Sequence, residues 1–166
     1  MNKNPLDGMS EEEIENFAKL YKIKKENPEC KIFGGWVWYV NEDKAKLFDK
    51  EKCGKWMIFS SDIFFLNKLC KETVGKDIVW EAKVAAGPRG KEYVSCFYLH
   101  IDDNETHRKL IRYFLDNDAI GKTKSGKYRN VAFKLNEQTR NGEYGDGFIA
   151  KLNLDHFIDL NTGEFL

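Results

Sequence analysis

The residues "DIVWEAKVAAG" (77–87) and "EYVSCFYLHID" (92–102), joined by "GPRGK", constrain the fold of this chain most. Each is rich in branched and aromatic residues, and the Gly- and Pro-containing link between them reads as a tight connection, so an antiparallel hairpin is predicted. Successive side chains on a strand point to opposite faces. In the first strand Ile78, Trp80, Ala82 and Val84 therefore share one face, and Val79, Glu81, Lys83 and Ala85 the other. In the second, Tyr93, Phe97, Leu99 and Ile101 oppose Val94, Cys96, Tyr98, His100 and Asp102.

The hairpin needs company to bury its apolar face. "KIFGGWVWYV" (31–40) reads as one strand, with Gly34 and Gly35 suggesting a bulge or a close backbone approach, and "KWMIFS" (55–60) as another. "YRNVAFKLN" and "GFIAKLNL" add strands late in the chain, placing Lys134 and Lys151 on the polar side. Three helices are expected. Ser10 and Glu13 form a capping-box pattern ahead of a stripe of Ile14, Phe17, Ala18 and Tyr21. Ser61 or Asp62 caps a helix with Phe65, Leu66, Leu69 and Cys70 on one side. Asn104 can cap a third, with His107, Leu110, Ile111 and Phe114 inward. The order implies one α+β domain over 1–166, a curved, mostly antiparallel sheet with about three helices on one face.

The other face carries Glu81, Lys83, Tyr98, His100, Lys134 and Lys151. A solvated face is the plain reading, since antiparallel sheets commonly leave one side in water. The functional reading is a trough in which lysines and rings hold a planar, phosphorylated ligand. Trp36 and Trp38 share a face and could stack on such a ligand or pack in a core. Net charge cannot decide: 27 basic and 27 acidic residues cancel, so attraction to nucleic acid must be local, and nucleic acid is possible but not favoured. The opening residues lack a signal-peptide pattern and no apolar run could span a bilayer, which predicts a cytoplasmic protein without a membrane partner. The cysteines, Cys30, Cys53, Cys70 and Cys96, form no C-x-x-C pair and read as reduced, mostly buried thiols.

Several motifs fail on context. "GKTKSGKY" (121–128) has P-loop spacing, but Tyr128 stands where Ser or Thr must hold magnesium, and a helix precedes it where a strand is needed. It remains a cationic loop, through Lys122, Lys124, Lys127 and Arg129. His100, Asp102, Asp103 and His107 invite a metal, yet Asp103 is an ordinary helix-start residue and His107 falls on a buried stripe; no metal or cofactor is expected. Glu81 with His100 is the one acid/base pair the pattern offers, and no catalytic residue is assigned.

"GKWMIF", "WEAKVAAG" and "KLNEQTRNGEYG" together resemble the Bles-type proteins, the basophilic leukaemia expressed family of unknown function, over residues 31–150. The resemblance implies a fold like the cap-binding translation initiation factors, with a ligand on the concave side. It matches Lys55 and Trp56 to the family's K-W element, Lys83 to its A-K-V lysine, and Thr139, Gly142 and Tyr144 to T-x-x-G-x-Y. A phosphothreonine-lyase-like label carried by some members is also implied. The tryptophan sandwich of the cap binders finds no match in Trp36, Trp38 and Trp56.

The leading expectation is binding of a nucleotide or other small phosphorylated molecule, with Lys83, Lys134 and Arg140 on the anion and Trp36 or Tyr98 stacking. Lys55, Trp56, His100, Thr139 and Tyr144 complete the expected ligand-binding set. The alternatives are a phosphate-directed lyase or hydrolase using Lys83 or His100 as base, and a module that binds a protein partner. "NEQTRNGEYGDG" (136–147) reads as a hairpin loop whose Arg140 and Tyr144 sit at the rim of the same surface.

Overall fold

A computed structural model describes residues 3–166. The elements are α1 (Glu11–Glu26), β1 (Lys31–Phe33), β2 (Trp36–Val40), α2 (Glu42–Ala45), β3 (Cys53–Ser60), α3 (Ile63–Gly75) and β4 (Glu81–Ala85). There follow β5 (Tyr93–His100), α4 (Asn104–Asp116), β6 (Ala132–Leu135), α5 (Asn136–Arg140) and β7 (Leu152–Asn153). The seven strands form one curved, unclosed antiparallel sheet in the order β1-β2-β4-β5-β3-β6-β7.

The core lies between this sheet and α1, α3 and α4. Leu66, Leu69 and Cys70 of α3 and Leu110, Ile111 and Phe114 of α4 meet Trp56, Ala82, Val84, Phe97 and Phe133 of the strands. Burying each large apolar side chain here contributes about 1.5–3 kcal/mol. Asp62 caps α3, accepting hydrogen bonds from the Phe64 and Phe65 amides at 3.0 and 3.3 Å. At α4 the cap is Asp103, one residue before the expected Asn104; its carboxylate accepts from the Thr106 amide and hydroxyl.

Three expectations are corrected. The stretch 31–40 is a hairpin, with Gly34 at φ 61° and Gly35 at φ 80°. Two consecutive left-handed residues make a two-residue turn, which matches the strand twist better than a bulge. The stripe expected to face inward on α1 faces out: Phe17 is 47% and Tyr21 65% exposed. A polar anchor rotates the helix, because the Asn16 amide donates to the Ala86 carbonyl at 2.7 Å and its oxygen accepts from the Tyr93 hydroxyl at 2.6 Å, so Leu20 and Ile23 turn inward instead. The late strands are shorter than read, and "NEQTR" is the single-turn helix α5.

Gly54 lets β3 and β6 close up. A Cβ there would run into the Phe133 ring and lie 2.8 Å from the Lys134 carbonyl oxygen.

Candidate anion-binding cavity on the open face

The strand registers set side chains of the open face in transverse rows. Glu81, Tyr98, Lys55 and Lys134 are successive cross-strand partners on β4, β5, β3 and β6. The next row is Trp38, Lys83, Cys96 and Met57 on β2, β4, β5 and β3. Lys55 and Lys134 thus stand directly opposite one another, an arrangement of like charges that destabilises a bare sheet.

This face is not simply solvated. Cys53, Ala85, Val94, Cys96 and Tyr98 form a second, smaller apolar cluster on it. The charged linker before β3 folds over one end, where Phe48 stacks on Trp80 with ring centroids 5.8 Å apart. At the same strand end, across the sheet, α5 supplies Thr139 and Asn136, whose side-chain amide donates to Cys53 Sγ at 3.3 Å. The Lys55 ammonium donates to the Thr139 hydroxyl at 3.1 Å and to the Asn136 side-chain oxygen at 3.3 Å.

Against α5 on this face lies a cavity of about 330 Å³. Val94, Cys96, Tyr98 and Met57 line it, with Trp36, Phe59 and Tyr144 at its sides. Its charged groups are Lys55, Lys83, Lys134 and Arg89, and no carboxylate lines it. Among the described residues, none of these four cations has a carboxylate oxygen within 4.0 Å, although ten such pairs occur elsewhere. A cleft of about 390 Å³ beside α3 is larger. Its lysines are already paired, Lys71 with Glu29 and Lys76 with Glu72, each at 3.8 Å. Unbalanced charge, not size, singles out the open-face cavity.

Aromatic rings hold the lysines in place of carboxylates. The Lys83 ammonium lies 3.8 Å from the centre of a Trp36 ring and 4.5 Å from that of Trp38. Lys134, only 5% exposed, lies 3.7 Å from the Tyr144 ring centre and donates to the Glu143 carbonyl. Such contacts offset part of the desolvation of an ammonium without neutralising it. Burial holds Lys55 below its ordinary pKa, and repulsion from Lys83 and Lys134 adds to the effect. Lys83 is depressed in the same way, first by burial and then by Arg89. Glu81 is the carboxylate whose field reaches Lys83, and burial raises it toward the neutral acid.

Seven of the ten residues expected to bind ligand line this cavity: Trp36, Lys55, Lys83, Tyr98, Lys134, Thr139 and Tyr144. Trp56, His100 and Arg140 do not. Trp56 follows Lys55 on the strand and so points the other way, into the core, at 1% exposure. Its indole N–H donates to His107 Nδ1 at 2.9 Å. The His100 ring is taken by the linker: Nε2 accepts from the Asp49 amide at 2.8 Å and the ring packs on Trp80. Glu81 and His100 share no hydrogen bond among the described residues, so the acid/base pair does not form. Arg140 ends α5 in solvent, and Lys151 lies outside β7, also exposed.

The other motif residues have structural tasks. Asp102 pairs with Lys52 at 2.8 Å, Asp103 caps α4 and His107 is fully buried, so these side chains do not converge. All four cysteines are free and buried, and burial pushes the Cys53 thiol up to about 11.

The chain matches no protein-family model and no curated protein. Reasoning from sequence missed Arg89, which the β4–β5 turn delivers, together with Met57, Phe59, Val94 and Cys96. Strand alternation already put Val94 and Cys96 on the right face. For Arg89 no sequence signal existed, because an arginine in a turn is ordinarily solvated.

Proposed function

We propose that this protein binds a small phosphorylated molecule, such as a nucleotide, in the open-face cavity. The observation that carries the reading is the convergence of half-buried Lys55 and Lys83 and buried Lys134, with exposed Arg89 at the rim, on one cavity lined by no carboxylate. Partly buried charges of one sign are costly unless paired, and an anion removes that cost. Trp36 and Tyr144 offer ring faces on which a planar group can stack. The cavity volume falls in the range of small-ligand sites. The resemblance to Bles-type proteins points to the same concave side. A cytoplasmic setting, where nucleotides are abundant, suits this reading; among the described residues no helix is long and apolar enough to cross a membrane.

Thermal denaturation against pyrophosphate, nucleotides, cyclic nucleotides and phosphopeptides tests it. Ligand at a hundredfold excess over Kd stabilises by about 2.7 kcal/mol, a shift of several degrees. That shift should vanish in the double variant Lys55→Gln/Lys134→Gln. No stabilisation by any of these anions would reject the reading.

A lyase or hydrolase is favoured by one observation, the depressed pKa of Lys83, which makes its free amine more accessible as a base. Release of phosphate or an unsaturated product, abolished in Lys83→Ala while binding persists, would establish turnover.

A further inference from the structure

We infer that the ligand carries two phosphoryl groups, and that Arg89 is the residue that selects for the second. This rests on the anion-binding reading above and sharpens it to a class of compound.

Charge balance is the first argument. A phosphate monoester carries about −1.5 to −2 near pH 7. The cavity presents four cations, and no carboxylate lines it. A single phosphoryl group thus leaves about half of the cationic charge unmatched, and two come close to matching it.

The second argument is the state of each cation. Lys55 is tethered to Thr139 and Asn136, Lys83 is sandwiched near Trp36 and Trp38, and Lys134 is bound to the Glu143 carbonyl beneath Tyr144. Each is a fixed point charge. Arg89 differs: it is exposed at the rim, and its guanidinium makes no hydrogen bond, ion pair or ring contact with the described residues. Only its backbone is fixed, by a reciprocal bridge with Glu92 at 2.8 and 3.3 Å. An unengaged planar fork on an anchored turn can take two oxygens of one phosphoryl group at once, as a lysine cannot. Lys55 and Lys134, opposite one another, accept the first phosphoryl group; Arg89 at the rim, beside Lys83, accepts the second.

Isothermal titration with adenosine, AMP, ADP, adenosine 3′,5′-bisphosphate and pyrophosphate tests this on the full chain. ADP or the 3′,5′-bisphosphate should bind about tenfold or more tightly than AMP, the worth of charge-assisted hydrogen bonds to one added group. Which of the two binds better tells whether the groups are joined or separate. Arg89→Ala should weaken ADP or the bisphosphate at least about fivefold more than it weakens AMP, and Arg89→Lys should restore only part of that difference. AMP binding as tightly as ADP and the bisphosphate, or Arg89→Ala retaining full discrimination, overturns the inference and leaves the anion site standing. Absence of binding by all five compounds overturns the inference, and the anion-binding reading falls with it if cyclic nucleotides and phosphopeptides also give no thermal shift.

Discussion

Lys55 and Trp56 are neighbours in sequence and belong to two different proteins in physical terms. On the helix-covered face, Trp56 and His107 form a closed polar unit: the indole donates to Nδ1 at 2.9 Å and Nε2 faces the Ile101 carbonyl at 3.1 Å, so the ring is neutral with its proton on Nε2. On the open face, Lys55 and Lys134 oppose each other with no carboxylate beside them. Both clusters bury polar atoms, but one is satisfied by the chain and the other leaves net charge over. A fully paired network serves the fold, whereas unbalanced charge in a cavity is what the proposed anion would offset.

The largest expected effect separates the two faces. Trp56→Ala opens a cavity among Phe133, Phe157 and His107 and leaves Nδ1 without its donor, so it should cost about 3–5 kcal/mol in urea unfolding. Trp36→Ala removes a ring that packs against Lys83 on the open face and should cost about 1 kcal/mol. Similar losses at both positions would mean that the open face is as much a core as the covered one.

Gly54→Ala comes next. The added methyl meets Phe133 and the Lys134 carbonyl, and β3 and β6 must part. Overpacking of this kind costs about 1–3 kcal/mol. Because β6 carries Lys134, anion binding should weaken along with stability. A variant of normal stability that still loses binding would show that strand spacing tunes the cavity alone.

His107 gives the comparison a pH dependence. Burial depresses its pKa below the ordinary histidine value. The unfolded chain then binds the proton more readily than the folded one, so stability increases with pH through this range. The contribution is complete above the unfolded value of about 6.5 and is lost as pH falls through it toward the depressed folded value. His107→Gln should flatten the stability profile between pH 7 and 5. A profile as steep as that of the parent would move the origin to the carboxylates.

Much of this was legible because the strand period is two. The alternation in 77–87 and 92–102 assigned Lys83 and Tyr98 to one face and Val84 and Phe97 to the other, as observed. The same rule would have excluded Trp56 from any site containing Lys55, but the K-W element of the family resemblance put them together. Helix α1 was misread because apolar spacing outweighed one asparagine, whose two hydrogen bonds fix the rotation of the helix. The fold of the linker back over His100 was illegible, since a Phe–Trp stack between Phe48 and Trp80 leaves no local pattern. "NEQTRNGEYGDG" illustrates both outcomes: Tyr144 reaches over Lys134 as a rim residue, while Arg140, four positions earlier, ends a helical turn that directs it to solvent.

The smallest expected effect is the most specific to the open face. Lys55→Gln removes one of two directly opposed ammonium groups and keeps a side chain able to donate to Thr139 and Asn136. Relief of a like-charge cross-strand pair is worth about 0.2–1 kcal/mol, so the variant should be slightly more stable than the parent in the absence of ligand. Lys134 is buried and Lys55 half-buried, so salt screens their repulsion only partly, and the gain should shrink modestly as ionic strength is raised from about 10 mM to 1 M. Added pyrophosphate should reverse the order, because the parent gains more from the anion than the variant does. If Lys55→Gln instead destabilises the protein equally at all salt concentrations, Lys55 is a structural residue held by α5, and the contrast between a satisfied face and a charged one fails at the position where the two faces are one residue apart.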